Sequence, residues 1–183
     1  MAAHTIPAEE LTASAFVTEE EYLLTSYEPD RDYVDGRLEE RNLGEYEHSG
    51  VQGRILFLFT SNGARWNVKA RPECRLQVAA TRYRLPDVMV LRREQKVSRI
   101  VREAPLICIE VLSPEDSWSR LREKLNDYLA MGVANVWCFD PETREVRTYT
   151  PEGFDVVTAP ALDVEGTAIH LVLAEVFAVL DEG

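Results

Sequence analysis

The sequence predicts an α/β fold in which a mixed sheet is flanked by helices. Three observations carry this reading. Residues 106 to 140 read strand, helix, strand, a crossover whose two strands run parallel if they share a sheet. Hairpin signals at Asp35-Gly36 and at "PETR" add antiparallel pairs. A long amphipathic segment from Glu45 to about Ser61 supplies a second helix to cover the sheet.

The chain of 183 residues is long enough for one domain with a sizeable core and too short for two. A flexible arm over residues 1–17 followed by a single domain over 18–183 is the expected organisation. The N-terminus lacks a basic region followed by an apolar one, and no apolar run reaches membrane-spanning length, so a cytoplasmic protein is expected. Cys74, Cys108 and Cys138 are odd in number and form no C-x-x-C pair, which favours reduced thiols over disulfides or a zinc site. With 20 basic and 32 acidic residues the net charge is -12, which disfavours non-specific phosphate binding. A local metal cation would reverse the field where it sits, so an enzyme acting on nucleic acid remains compatible with that charge.

In chain order, Thr18 with Glu21 forms a capping box for a short helix, and Asp35-Gly36 turns a small antiparallel pair. In the next helix Val51, Ile55, Leu58 and Phe59 fall on one face, with Asn62-Gly63 as its stop. His48 lies on the first turn of that face. Alternating Cys74, Leu76 and Val78 predict a strand from Glu73 to Ala79, and another follows Pro86 over Val88 to Leu91. Residues 93 to 104 are charged and read as a loop before the most hydrophobic strand, Leu106 to Leu112. "SPED" then predicts a helix start with Ser113 as cap and Pro114 in the first helical position. Trp118, Leu121, Leu125, Tyr128 and Leu129 form its buried stripe, and Gly132 ends it. "VWCFD" is a further buried strand, "EVRTYT" pairs with it after "PETR", and the C-terminal third adds "GFDVV" and a short helix near "LAEVFAVL".

Glu110 sits inside the most apolar strand, and Asp87 stands immediately before another. A buried carboxylate is costly unless a partner, a proton or a metal compensates it. If the two strands are neighbours, the two acids converge and offer hard oxygen ligands suited to Mg²⁺. The competing reading is structural: Asp87 caps a turn and Glu110 pairs with an arginine. A cation could come from Lys124, on the flank of the helix stripe, where its stem can lie on apolar surface and its head reach the strand end. Arg120, Arg122, Glu123 and Asp127 surround it, so a solvated lysine is the alternative. His48 is either a packed core histidine or a site residue. Arg71, Arg75, Arg82 and Arg84 form either a phosphate-facing patch or an ordinary solvated strand face.

"PD", about twenty residues, then "IEVLS" resembles the PD-(D/E)XK nuclease superfamily. "PLICIEVLSPED", "KLNDYLAMGVANVWCFDP", "DYVDGRLEER" and "HSGVQGRI" more specifically resemble the Uma-two type of putative restriction endonuclease, over about Thr18 to Leu180. The resemblance implies a restriction-endonuclease-like core and makes Asp87 and Glu110 metal ligands. The superfamily's lysine position falls on Leu112, and the resemblance implies that Lys124, from the following helix, replaces it. His48 matches the histidine at the start of the family's first long helix.

The expected function is a Mg²⁺-dependent endonuclease on DNA, with Mn²⁺ as an alternative ion and a homodimer as the expected assembly. Asp87, Glu110, Lys124 and His48 are the expected catalytic residues, and Asp87, Glu110 and the Val111 carbonyl the metal ligands. Two rivals are a nuclease-fold protein that no longer cleaves and acts as a dimeric binding or regulatory partner, and a hydrolase of a small phosphorylated substrate.

Overall fold

Apolar side chains on both faces of the Glu110 strand require a neighbour on each edge and a helix on each side. The computed structural model describes residues 4–7, 16–40 and 45–181. Its N-terminal part comprises β1 (His4–Pro7), α1 (Glu19–Leu24), β2 (Thr25–Glu28), β3 (Asp32–Val34) and β4 (Arg37–Glu39). Helices α2 (Tyr46–Ser61) and α3 (Gly63–Trp66) precede β5 (Val68–Pro72), β6 (Leu76–Ala79), β7 (Arg82–Arg84), β8 (Val88–Arg92) and β9 (Ile107–Val111). Then come α4 (Trp118–Met131), β10 (Asn135–Phe139), β11 (Val146–Thr150), β12 (Gly153–Val156), β13 (Ala161–Asp163), β14 (His170–Val172) and α5 (Leu173–Phe177). Among the described residues no helix is long and apolar enough to cross a membrane.

The main sheet has six strands in the order β12-β11-β10-β9-β8-β5. Strands β9 and β10 run parallel through the α4 crossover, while β8 against β9 and β10 against β11 are antiparallel, so the sheet is mixed. On one face Val51, Ile55, Leu58 and Phe59 of α2 pack with Val88, Val90, Ile107 and Ile109. On the other, Leu121, Leu125 and Tyr128 of α4 pack with Met89, Leu91, Cys108 and Cys138. Burying each large apolar side chain contributes about 1.5–3 kcal/mol, so this sandwich fixes both helices against the central strands. A second sheet, β4-β3-β7-β6, packs Tyr33 and Tyr83 with Tyr22 of α1. Asp35 and Gly36 both have positive φ, as the β3–β4 turn requires, and the Thr18–Glu21 capping box is formed at α1.

Two local expectations are corrected. Glu73 adopts a left-handed conformation, φ 48°, which interrupts the strand predicted from residue 73 and delays β6 to Leu76. Helix α4 begins at Trp118 rather than after Ser113. The Ser113 N–H donates to Asp116 Oδ2 at 2.8 Å and Asp116 N–H to the Ser113 carbonyl at 3.0 Å. "SPED" therefore closes one turn on itself, and Ser117, in an extended conformation, is the true N-cap. As a result Trp118 begins the helix 52% exposed instead of joining the core. Strand β1 pairs in parallel with β2. Residues 1–3 and 8–15 lie outside the described residues.

Candidate active site

Asp87 and Glu110 face each other across the sheet. The β8–β9 register pairs Val88 with Ile109, and one further step sets Asp87 opposite Glu110. Both acids are nearly buried, at 3% and 5% exposure. Asp87 Oδ2 accepts from the Val111 main-chain N–H at 2.8 Å and lies 3.4 Å from His48 Nε2. Gln52, one turn after His48 on α2, donates to the Asp87 main-chain carbonyl at 3.0 Å. Residues four apart share a helix face, so α2 engages Asp87 twice.

Helix α4 engages Glu110 in the same way. Lys124 Nζ donates to Glu110 Oε2 at 2.8 Å and to the Leu85 carbonyl at 2.9 Å. The Tyr128 hydroxyl, one turn on, donates to Glu110 Oε1 at 2.7 Å. Burial pushes the Glu110 carboxyl up from its ordinary 4.5 to about 7. The Lys124 ammonium opposes that rise, the Asp87 charge adds to it, and the hydrogen bonds from Lys124 and Tyr128 oppose it again. The acid in the apolar strand is thus paired with a lysine, not with the arginine of the structural alternative. Lys124 is only 12% exposed, which also excludes the solvated lysine.

Both acids open onto a cleft of about 130 Å³ that His48, Val111 and Lys124 also line. Arg84 stands at its wall, where acids engage it. It is 1% exposed and bonds Asp127 Oδ2 at 2.7 Å, Glu39 Oε2 at 2.6 Å and Asp32 Oδ2 at 3.3 Å. Arg82 is engaged by Asp35, Glu123 and Asp127, while Arg75 pairs with Asp30 and covers the Tyr22 ring. Neither a phosphate-facing patch nor a solvated strand face describes these three arginines.

The donor set fits a hard, strongly hydrated cation. Each carboxylate offers about four lone-pair sites, and Lys124 and Tyr128 engage two of those on Glu110. Among the described residues no three His, Cys, Asp or Glu side chains gather as a cation cage. Two carboxylates beside Val111 would suit Mg²⁺, which keeps several waters and takes few protein ligands.

All four predicted catalytic residues meet at this cleft, together with Val111. Gln52 and Tyr128 join them without standing out in the sequence as site residues. Their spacing, four residues after His48 and after Lys124, was the available signal. The contacts of Asp32 and Arg84 had none, because their partners lie far away in sequence.

A search of curated proteins finds no match. Among solved structures, the chain is similar to the crystal structure of a putative nuclease belonging to DUF820 from Anabaena variabilis ATCC 29413. The identity is 24% and the TM-score 0.76, over 90% of this chain and 99% of that one. At that identity the likeness establishes the fold. A family model, Uma2, described as putative restriction endonuclease, matches residues 19–177 and so takes in every residue of the cleft, and the chain belongs to that family.

Proposed function

We propose that the chain is a Mg²⁺-dependent endonuclease that hydrolyses phosphodiester bonds in DNA. The observation that supports this best is the convergence of Asp87 and Glu110 from adjacent strands on one cleft, with Lys124 bonded to Glu110. Asp87, Glu110 and the Val111 carbonyl would hold the ion, which when bound supplies positive charge at a phosphate oxygen and eases deprotonation of water. Lys124, anchored between Glu110 and the Leu85 carbonyl, orients the attacking water and donates to the charge that builds on the phosphorus oxygens. His48 holds Asp87 from α2, and Tyr128 fixes the Glu110 carboxylate so that its oxygens are aimed before substrate arrives. A net charge of -12 gives no long-range attraction for DNA, so binding depends on the ion at the cleft. A homodimer would offer one cleft to each strand of a duplex.

Supercoiled plasmid incubated with Mg²⁺ or Mn²⁺ is expected to be nicked or linearised, and Lys124→Ala and Glu110→Gln are each expected to abolish this. Unchanged cleavage by both variants refutes the assignment. A wild-type protein that neither cleaves nor binds divalent ions supports instead the non-cleaving binding or regulatory partner.

A further inference from the structure

Lys124 does its work from a helix, whereas Glu110 lies on a strand, so something must set the distance between the two elements. The side chains around Leu85 do this. Asp32 of β3 accepts the Leu85 main-chain N–H through Oδ1 at 2.8 Å, and Lys124 donates to the carbonyl of the same residue at 2.9 Å. Arg84, one residue earlier, bonds Asp32 on one side and Asp127 of α4 on the other. Asp127 lies between Lys124 and Tyr128 in sequence, one turn along the helix from the first and adjacent to the second. The chain from β3 through Arg84 to α4 therefore closes a loop around the segment that leads into Asp87.

We propose that Asp32, Arg84 and Asp127 form a positioning clamp that holds α4 in the register at which Lys124 reaches Glu110. None of the three is assigned contact with substrate or the reacting atoms. Arg84 is suited to the task because its guanidinium is planar and presents several donors at fixed angles, so it can bind carboxylates on two elements at once. It is buried among acids from β3, β4 and α4, the elements that the clamp would join. The clamp also answers for Leu112: with no lysine on the strand itself, the ammonium must come from another element, and that element needs a tie of its own.

The clamp's importance to catalysis rests on the role proposed above for Lys124, but its effect on Lys124 can be read without any cleavage. The chain has three lysines, Lys69, Lys96 and Lys124. Lys96 is exposed, while Lys69 is half-buried and donates to the Gln95 and Arg93 carbonyls away from α4. Reductive methylation followed by peptide mass spectrometry reports each amine separately in one sample. In Asp127→Asn and in Arg84→Lys, Lys124 is expected to be modified about tenfold faster, the factor that one charge-assisted hydrogen bond corresponds to. Lys69 should keep its wild-type rate, and Asp127→Glu should restore most of the Lys124 protection. Unchanged Lys124 reactivity in both variants overturns the clamp. So does a parallel rise at Lys69, which marks general loosening rather than loss of register. On plasmid, the same variants are expected to lower kcat with KM unchanged. If the wild type does not cleave, the nuclease reading fails while the labelling result still decides the clamp.

Discussion

With Glu110 as a proposed ligand, its burial is expected to make divalent-ion affinity a function of pH over a window where an ordinary glutamate would be silent. A ligand carboxylate must be ionised to bind the cation, so apparent affinity follows its ionised fraction. With the carboxyl pushed up to about 7, that fraction is about 1% at about pH 5 and about half at about pH 7. Mn²⁺ affinity, measured by calorimetric titration, is expected to rise about fifty-fold between those two pH values and to level off above them. An exposed glutamate at its ordinary 4.5 would change by less than about twofold over the same interval. Tyr128→Phe supplies the internal control. The tyrosine hydrogen bond favours the ionised form, so its loss moves the midpoint upward by roughly one pH unit. An affinity that varies less than twofold from about pH 5 to about pH 7 refutes Glu110 as a buried metal ligand.

Two further outcomes concern stability. Because the folded-state value of Glu110 is raised, its contribution is fully present below about 4.5 and is lost as pH rises through about 7, by roughly 3 kcal/mol in the metal-free protein. Urea unfolding of wild type and Glu110→Gln across this range isolates the effect, and parallel pH profiles for the two proteins would contradict it. Along α4, Leu125→Ala is expected to lose about 2–5 kcal/mol, since the side chain is fully buried against the sheet. Trp118→Ala, at 52% exposure, should lose clearly less despite removing more atoms, and thermal unfolding of the pair tests this ordering.

Much of the fold was legible because its signals are local. The Thr18–Glu21 box, the Asp35-Gly36 turn and the Gly132 stop, with φ +98°, each depend on residues within one turn of chain. "SPED" misled for a related reason. The same Ser–Asp reciprocity that opens a helix also closes a free-standing turn, and only the extended Ser117 distinguishes them. In the site, Asp87 and Glu110 were conspicuous because acids beside apolar strands demand compensation, whereas Tyr128 was read as part of a core stripe that it also occupies. The arginine pairings are not legible in the sequence, because Arg84 meets Asp127 and Asp32 across 43 and 52 residues.

The amino-acid sequence by itself determined the mixed α/β architecture, the two buried acids and the helix that carries the lysine, since periodicity, turn chemistry and the cost of burying charge act residue by residue. It also determined that Leu112 leaves the strand without an ammonium. Which cation compensates which acid was decided only by the tertiary structure. Lys124 meets Glu110, His48 meets Asp87, and Arg84 ties α4 to β3, because electrostatic pairing depends on distance through space, and folding alone brings those distances to a few ångströms.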